Sequence, residues 1–259
     1  AARFSHMRFF TTAAVPRMSG LGRDDVMYCA LPLYHTAGGV MAAGSALLSG
    51  CMLVLRRKLS ASAFWGEVRR YDVTAFQYIG ELCRYLLNAP PDPDERAHRL
   101  RFCVGNGLRP DIWAEFQDRF AIPRVVEFYG ATEGNVALLN ATGKQGSVGR
   151  IPSKRLIDAR LVRYDVDADE LVRDADGWLV ECAVDEPGEL IAAIPQKSND
   201  MRGRFEGYTS AEATERKILR DAFADGDAFF RTGDLLRRDR AGYFYFVDRI
   251  GDTYRWKGE

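Results

Sequence analysis

Tyr129, Thr132 and Glu133 stand close together in Val125-Val126-Glu127-Phe128-Tyr129-Gly130-Ala131-Thr132-Glu133-Gly134. A short apolar run there ends in an aromatic ring, a glycine, a hydroxyl and a carboxylate. This chemistry suits a nucleoside triphosphate. Tyr129 offers a flat face to a base. Gly130 lets backbone come close to a ligand. The Thr132 hydroxyl can hydrogen-bond a phosphate oxygen. Glu133 is a hard oxygen ligand for Mg²⁺, which usually takes one or two carboxylates plus substrate phosphates. The same letters also describe a plain strand-to-turn junction with a surface glutamate, and a short motif alone does not choose between the two.

The elements that must position these groups come next. Val125 onward reads as a buried parallel strand, and open α/β sheets bind ligands at the carboxyl ends of their strands. Strand and helix patterns alternate ahead of it. Val26 to Leu31, Val73 to Ile79 and Arg101 to Val104 read as strands. Ser60 is placed to cap a helix with Ala61, Phe64, Trp65 and Val68 on one face. Glu81 to Asn88 is a second helix, and Pro110 starts a third that turns Ile112, Trp113, Phe116 and Phe120 inward. This alternation predicts parallel βα units with helices on the sheet faces.

Beyond about Gly146 the pattern becomes antiparallel β. Arg160 to Tyr164, Trp178 to Val180, Glu189 to Ile194 and Phe244 to Val247 read as strands, with Asp176-Gly177 and Glu186-Pro187-Gly188 as turns. Thr209-Ser210-Ala211-Glu212 is a capping-box pattern that predicts a helix running to about Phe223. The expected fold class is α/β: a parallel-sheet subdomain over residues 1–145, a β-rich, barrel-like subdomain over 146–247, and a hinge segment over 248–259.

Bulk properties narrow the function. The 259 residues carry 36 basic and 36 acidic side chains, so no basic footprint for nucleic acid is expected. Cys29, Cys51, Cys83, Cys103 and Cys182 are scattered without metal-ligand spacing, which predicts free thiols in a reducing compartment. Thr36 to Leu55 carries no charge and has the length of a membrane span. Its glycines and serines favour a small-residue core helix and then a strand from Cys51 to Leu55. Asp165-Val166-Asp167-Ala168-Asp169 lacks the glycine and glutamate of a calcium loop, so a solvated hairpin is expected. No G-x-S-x-G supports a serine-hydrolase elbow.

Tyr129-Gly130-Ala131-Thr132-Glu133 resembles the central motif of the adenylate-forming enzymes. Three further stretches resemble motifs of that superfamily in the same order. Leu31-Pro32-Leu33-Tyr34-His35-Thr36-Ala37-Gly38 is similar to its aromatic-histidine motif. Arg231-Thr232-Gly233-Asp234-Leu235 is similar to its ribose-binding motif, and Asp248-Arg249-Ile250-Gly251-Asp252 to its hinge. Tyr78 to Leu86, Gly105-Asn106-Gly107-Leu108-Arg109-Pro110 and Asp252 to Glu259 resemble the fatty acid transport protein branch, or very-long-chain acyl-CoA synthetases.

The resemblance implies a two-step reaction. A fatty carboxylate and Mg-ATP give acyl-adenylate, and coenzyme A then takes the acyl group. It implies nucleotide binding by Gly105, Asn106, Gly107, Tyr129, Gly130, Ala131, Thr132, Asp234 and Arg249. Thr132 and Glu133 would be catalytic, Glu133 the metal ligand, and His35 a substrate contact. The superfamily's hinge position, often Asp or Lys, falls on Gly251 here. A glycine-rich phosphate loop and a lysine-bearing carboxyl-terminal domain, both implied by the resemblance, are not found in the sequence. The expectation is a fragment of the large domain, incomplete for catalysis. A cytoplasmic location is expected, in keeping with the free thiols, with peripheral membrane attachment and oligomeric state left open. Two alternatives remain: a non-catalytic lipid- or nucleotide-binding uptake module, and an adenylation domain for an amino or aryl acid.

Overall fold

The computed structural model describes residues 1–151, 157–195 and 205–251. In chain order the first elements are α1 (His6–Met18), β1 (Val26–Cys29), a π-helix (Thr36–Gly44), α2 (Ser45–Ser49) and β2 (Met52–Leu55). Then come α3 (Ala61–Arg70), β3 (Ala75–Ile79), α4 (Gly80–Asn88), β4 (Phe102–Asn106), α5 (Pro110–Phe120), β5 (Val125–Gly130) and β6 (Ala137–Asn140). The rest are β7 (Ala159–Val162), β8 (Tyr164–Asp165), β9 (Glu170–Leu171), β10 (Gly188–Ala193), α6 (Ala211–Glu215), β11 (Ile218–Arg220), β12 (Ala228–Arg238) and β13 (Phe244–Arg249).

The chain forms two compact units. One contains residues 5–128 and 140–146; the other contains 1–4, 129–139 and the chain from Ser147 onward. The division therefore cuts β5 between Phe128 and Tyr129.

In the α/β unit the strands run in the order β2-β1-β3-β4-β5, all neighbours parallel. The expected helix faces are the observed ones. Phe64, Trp65 and Val68 of α3 and Trp113, Phe116 and Phe120 of α5 are buried in one apolar cluster with Tyr28, Phe76 and Tyr78 of the strands. Near-complete burial of such aromatic side chains contributes roughly 1.5–3 kcal/mol each. Ser60 stands at the cap position of α3, but its side chain makes no cap hydrogen bond.

The uncharged stretch from Thr36 is a core helix of unusual pitch. Gly38 and Gly39 lie against the Pro32 and Leu33 carbonyls, where a Cβ would come within 2.4 and 2.1 Å. Gly50 ends α2 in the left-handed region. Among the described residues, no helix is long and apolar enough to cross a membrane.

The β-rich unit holds a curled antiparallel sheet in the order β11-β12-β10-β7, with β13 paired to β12. Two expectations need correction here. The helix predicted to reach Phe223 stops at Glu215, because Ile218 to Arg220 pairs with Phe230 to Ala228 as a sheet strand. Ser210, not Thr209, caps it by accepting from the Ala213 N–H. Trp178 to Val180 forms no regular strand; Leu179 makes an isolated bridge to Arg173 and donates its N–H to the Ala222 carbonyl at 2.8 Å. The acidic hairpin is as expected, with Asp165 accepting from the Asp167 and Ala168 N–H groups. All five cysteines are free thiols.

Candidate functional site

In the β-rich unit the long strand β12 carries Arg231-Thr232-Gly233-Asp234. Thr-Gly-Asp has the composition of a turn. The structure instead has a bulged strand, with register shifts opposite Glu189 and at Leu235. Gly233 takes φ +76, a left-handed value that suits glycine. Glu189 of β10, fully buried, holds the bulge. It accepts from Arg231 Nη2 at 2.6 Å and from the Gly233 N–H at 3.1 Å. Thr232 donates to the Leu190 carbonyl at 2.7 Å and accepts from the Asp234 N–H at 3.1 Å.

This scaffold presents Asp234, which is 2% exposed. Its Oδ2 accepts from the Tyr129 hydroxyl at 2.6 Å and its Oδ1 from Arg249 Nε at 2.8 Å. Each carboxylate oxygen has two lone pairs, so acceptor capacity remains for two further donors. Burial, with the Asp234 charge beside it, pushes the Tyr129 hydroxyl far above the ordinary phenol range. Tyr129 therefore stays a neutral donor, and its ring packs against the cluster of Val136, Leu138 and Phe244. Tyr129, Asp234 and Arg249 come from β5, β12 and β13, and the structure brings them together.

Gly130 ends β5, and Ala131 accepts the Gly134 N–H in a tight turn. Thr132 on this turn is exposed. Glu133 is partly buried and accepts from the Tyr208 hydroxyl at 2.9 Å. The sequence reading missed Tyr208, which lies far along the chain and carries no motif of its own. The same holds for Glu189, whose Gly-Glu-Leu context read only as a strand start.

In the α/β unit Gly105 and Asn106 end β4 and Gly107 follows in the left-handed region. Asn106 is exposed. Beneath them is Glu127, another residue the sequence reading passed over, although a carboxylate inside an apolar strand is an informative oddity. It accepts hydrogen bonds from the Tyr78 hydroxyl and from the Gly107 and Leu108 N–H groups. Burial pushes its carboxyl up to about 8, against the downward pull of those donors. A carboxyl raised on folding adds stability below its unfolded pKa, and the contribution is lost as pH rises through about 8. The melting temperature of the native chain should therefore fall relative to Glu127→Gln between about pH 5 and 8. Superimposable pH curves for the two proteins would show the shift to be absent.

His35 is exposed and caps the π-helix, its Nδ1 accepting from the Ala37 N–H at 3.2 Å. Arg249 ends β13, so the start of the supposed hinge is sheet; Asp252 to Glu259 lie outside the described residues.

Known proteins resemble this chain in sequence and in fold. The family model described as AMP-binding enzyme matches residues 3–198. Long-chain fatty acid transport protein 1 of Bos taurus is 47% identical over 263 residues, covering 100% of this chain and 40% of its own. Human long-chain fatty acid transport protein 3 is 45% identical, covering 100% and 38%. The chain thus spans about two-fifths of the length of these curated relatives. Among solved structures, a benzoate CoA ligase from Burkholderia xenovorans LB400 aligns with TM-score 0.72 at 20% identity, over 98% of this chain and 47% of that one. O-succinylbenzoate coenzyme A synthetase from Bacillus subtilis, in complex with ATP and magnesium ion, aligns with TM-score 0.69 at 21% identity, over 100% and 49%. At these identities the structures establish the shared fold. By the family match over most of its length, the chain belongs to the AMP-binding enzyme family.

Proposed function

We propose that the chain contributes the nucleotide-handling groups of an ATP-dependent fatty acyl-CoA synthetase. In the first step a carboxylate oxygen of the fatty acid attacks the α-phosphorus of ATP. The bond from that phosphorus to the bridging oxygen breaks, and pyrophosphate leaves. In the second step the thiolate of coenzyme A attacks the acyl carbon, and AMP leaves with the electron pair of the acyl–oxygen bond. The long acyl chain is inferred from the printed names of the relatives, which are long-chain fatty acid transport proteins.

One observation carries the reading: Asp234, fixed by Tyr129 and Arg249, keeps acceptor capacity for two hydroxyls. That fits the vicinal diol of a ribose. Within its own unit the ring of Tyr129 suits the face of an adenine; within the other, the Gly105-Asn106-Gly107 turn suits an adenine's polar edge, read by Asn106. Thr132 would donate to a phosphate oxygen, and Arg249 would give a charge-assisted bond to phosphate or ribose. His35 would contact the acyl substrate.

Mg²⁺ fits Glu133. Among the described residues no cluster of three or more ligating side chains exists. A single carboxylate is nevertheless the usual protein share of a site completed by substrate phosphates. Bound there, the ion would neutralise charge on the phosphate oxygens. Glu133 is steadied for this by Tyr208. Coenzyme A is the second substrate of the proposed reaction. A long-chain acid partitions into lipid, which favours a peripheral membrane setting for the protein.

Binding of AMP by the purified chain tests the reading. Calorimetric titration should show AMP bound more tightly than its 2′,3′-dideoxy analogue. Asp234→Asn should weaken AMP about tenfold or more and erase that preference, because a bond to a charged acceptor is lost. Equal affinity for the two nucleotides in the native chain would overturn the assignment of Asp234 to the ribose.

A further inference from the structure

The buried carboxyl of Glu127 has no part in the reaction just described. It sits at the third position of β5 and is 2% exposed. Parallel register places Glu127 beside Gly105 of β4, and Gly105 beside Tyr78 of β3. The three strands thus bring one carboxyl, one phenol and one glycine turn to a single sheet end. Oε2 accepts from the Tyr78 hydroxyl, and Oε1 accepts from two successive N–H groups, Gly107 and Leu108. These are the amides that leave the strand and close the turn.

The seat is tight from the other sides. A Cβ on Gly105 would stand 2.2 Å from the Tyr78 carbonyl oxygen, and one on Gly80 would stand 1.7 Å from the Gly107 oxygen. Backbone atoms cannot yield to such contacts as a flexible side chain can. Asn106, by contrast, points its exposed side chain outward from this rigid base.

We propose that Glu127, braced by Tyr78, is a positioning residue that sets the shape of the Gly105-Asn106-Gly107 turn and through it the preference for adenine over guanine. The proposal rests on the adenine-binding reading of that turn. The physical ground is preorganisation. Two bonds from consecutive amides to one carboxyl oxygen fix the peptide planes on either side of Gly107 and limit where Asn106 can hold its amide. Discrimination between bases depends on such fixed donors and acceptors, since a polar edge left unpaired costs far more than a missing apolar contact. The titratable groups facing Glu127 are Tyr78 of β3, Cys83 of α4 and Cys103 of β4. Burial keeps all three neutral, so none supplies a competing charge.

The test compares AMP and GMP binding, by calorimetric titration, in the native chain, Glu127→Gln and Glu127→Ala. Glutamine can keep the arrangement: its oxygen accepts from Gly107 and Leu108 while its amide donates to the Tyr78 oxygen. Alanine orphans both amides. The native chain should prefer AMP, Glu127→Gln should retain the preference, and Glu127→Ala should lower the AMP-to-GMP affinity ratio about tenfold. A general loss of stability would weaken both nucleotides alike and leave the ratio untouched. Should Glu127→Ala fail to fold, Tyr78→Phe removes one brace only and should lower the ratio at least about threefold. Hydrogen exchange at the Gly107 and Leu108 amides reads the anchoring without any nucleotide. Both should be protected in the native chain and Glu127→Gln, exposed in Glu127→Ala, and of intermediate protection in Tyr78→Phe, which keeps the accepting oxygen. An unchanged ratio in a folded Glu127→Ala overturns the proposal, as does Glu127→Gln behaving like alanine. Absence of any AMP binding in the native chain, with the exchange pattern as expected, would sink the adenine reading and with it the specificity role, leaving the anchoring intact.

Discussion

Glu189→Ala is expected to lower the free energy of unfolding by about 3 kcal/mol, the low end of what breaking a buried ion pair costs. The low end applies because the Arg231 side chain keeps 33% of its exposure, while Glu189 keeps none. The loss has two parts. Arg231 would lose its partner and sit half-buried as an uncompensated cation. The Gly233 N–H, which now donates to Glu189 Oε1, would lose its acceptor inside the bulge. Glu189→Gln keeps an acceptor for Gly233 and should cost about half as much. Urea unfolding followed by circular dichroism measures both. The functional consequence follows from the same geometry. Glu189 holds the bulge in which Asp234 stands, so the alanine variant should also bind AMP less tightly at temperatures where it is fully folded. A stability loss under about 1 kcal/mol would mean that water replaces Glu189, and that the bulge is held by Thr232 and the strand register.

The two halves of the fold differed in how legible they were. Parallel strands buried on both faces are continuous apolar runs, so Val125-Val126 and Phe102-Cys103-Val104 announced themselves, and α3 and α5 showed their inward faces at helical spacing. The β-rich half was read less well because partner strands overrode local pattern. A helix does begin at this polar cluster, at Ser210 rather than Thr209, yet Ile218 to Arg220 is worth more as an edge strand on β12 than as further helical turns. Likewise Arg231-Thr232-Gly233-Asp234 has turn composition. The polar residues and the left-handed glycine serve a bulge inside an eleven-residue strand instead. The site divides along similar lines. Tyr129, Asp234 and Arg249 could be named from motifs, but their mutual hydrogen bonds depend on strands far apart in the chain. Glu189 holds the Asp234 bulge, Tyr208 bonds Glu133, and Glu127 holds the Gly105-Asn106-Gly107 turn, each from outside the motif it serves. Only Glu127 left a trace in the sequence, as a charge among valines and phenylalanine.

Glu133→Gln is expected to reduce acyl-adenylate formation by about 10²–10³-fold, the usual loss when one preorganised electrostatic group is removed from a reacting centre. Glutamine is nearly isosteric and can still accept from Tyr208, so the local fold should survive. It lacks the negative charge that makes a hard ligand for Mg²⁺. Pyrophosphate exchange with oleate, measured on the full-length protein, reports the first step alone. The magnesium concentration needed for half-maximal rate should rise in Glu133→Gln, while AMP affinity, which does not need the metal, should change less than about threefold. Tyr208→Phe separates positioning from ligation. It removes the 2.9 Å hydrogen bond but leaves the carboxylate, so its rate should fall by about tenfold at most. These three readouts together assign Glu133 to the metal rather than to the base or the ribose. If Glu133→Gln weakened AMP as strongly as it slowed exchange, Glu133 would belong to nucleotide binding, and the magnesium ligand would have to be sought elsewhere. If neither changed, the turn after β5 would carry Thr132 alone into the chemistry, and the bond from Tyr208 would be a brace for the chain and nothing more.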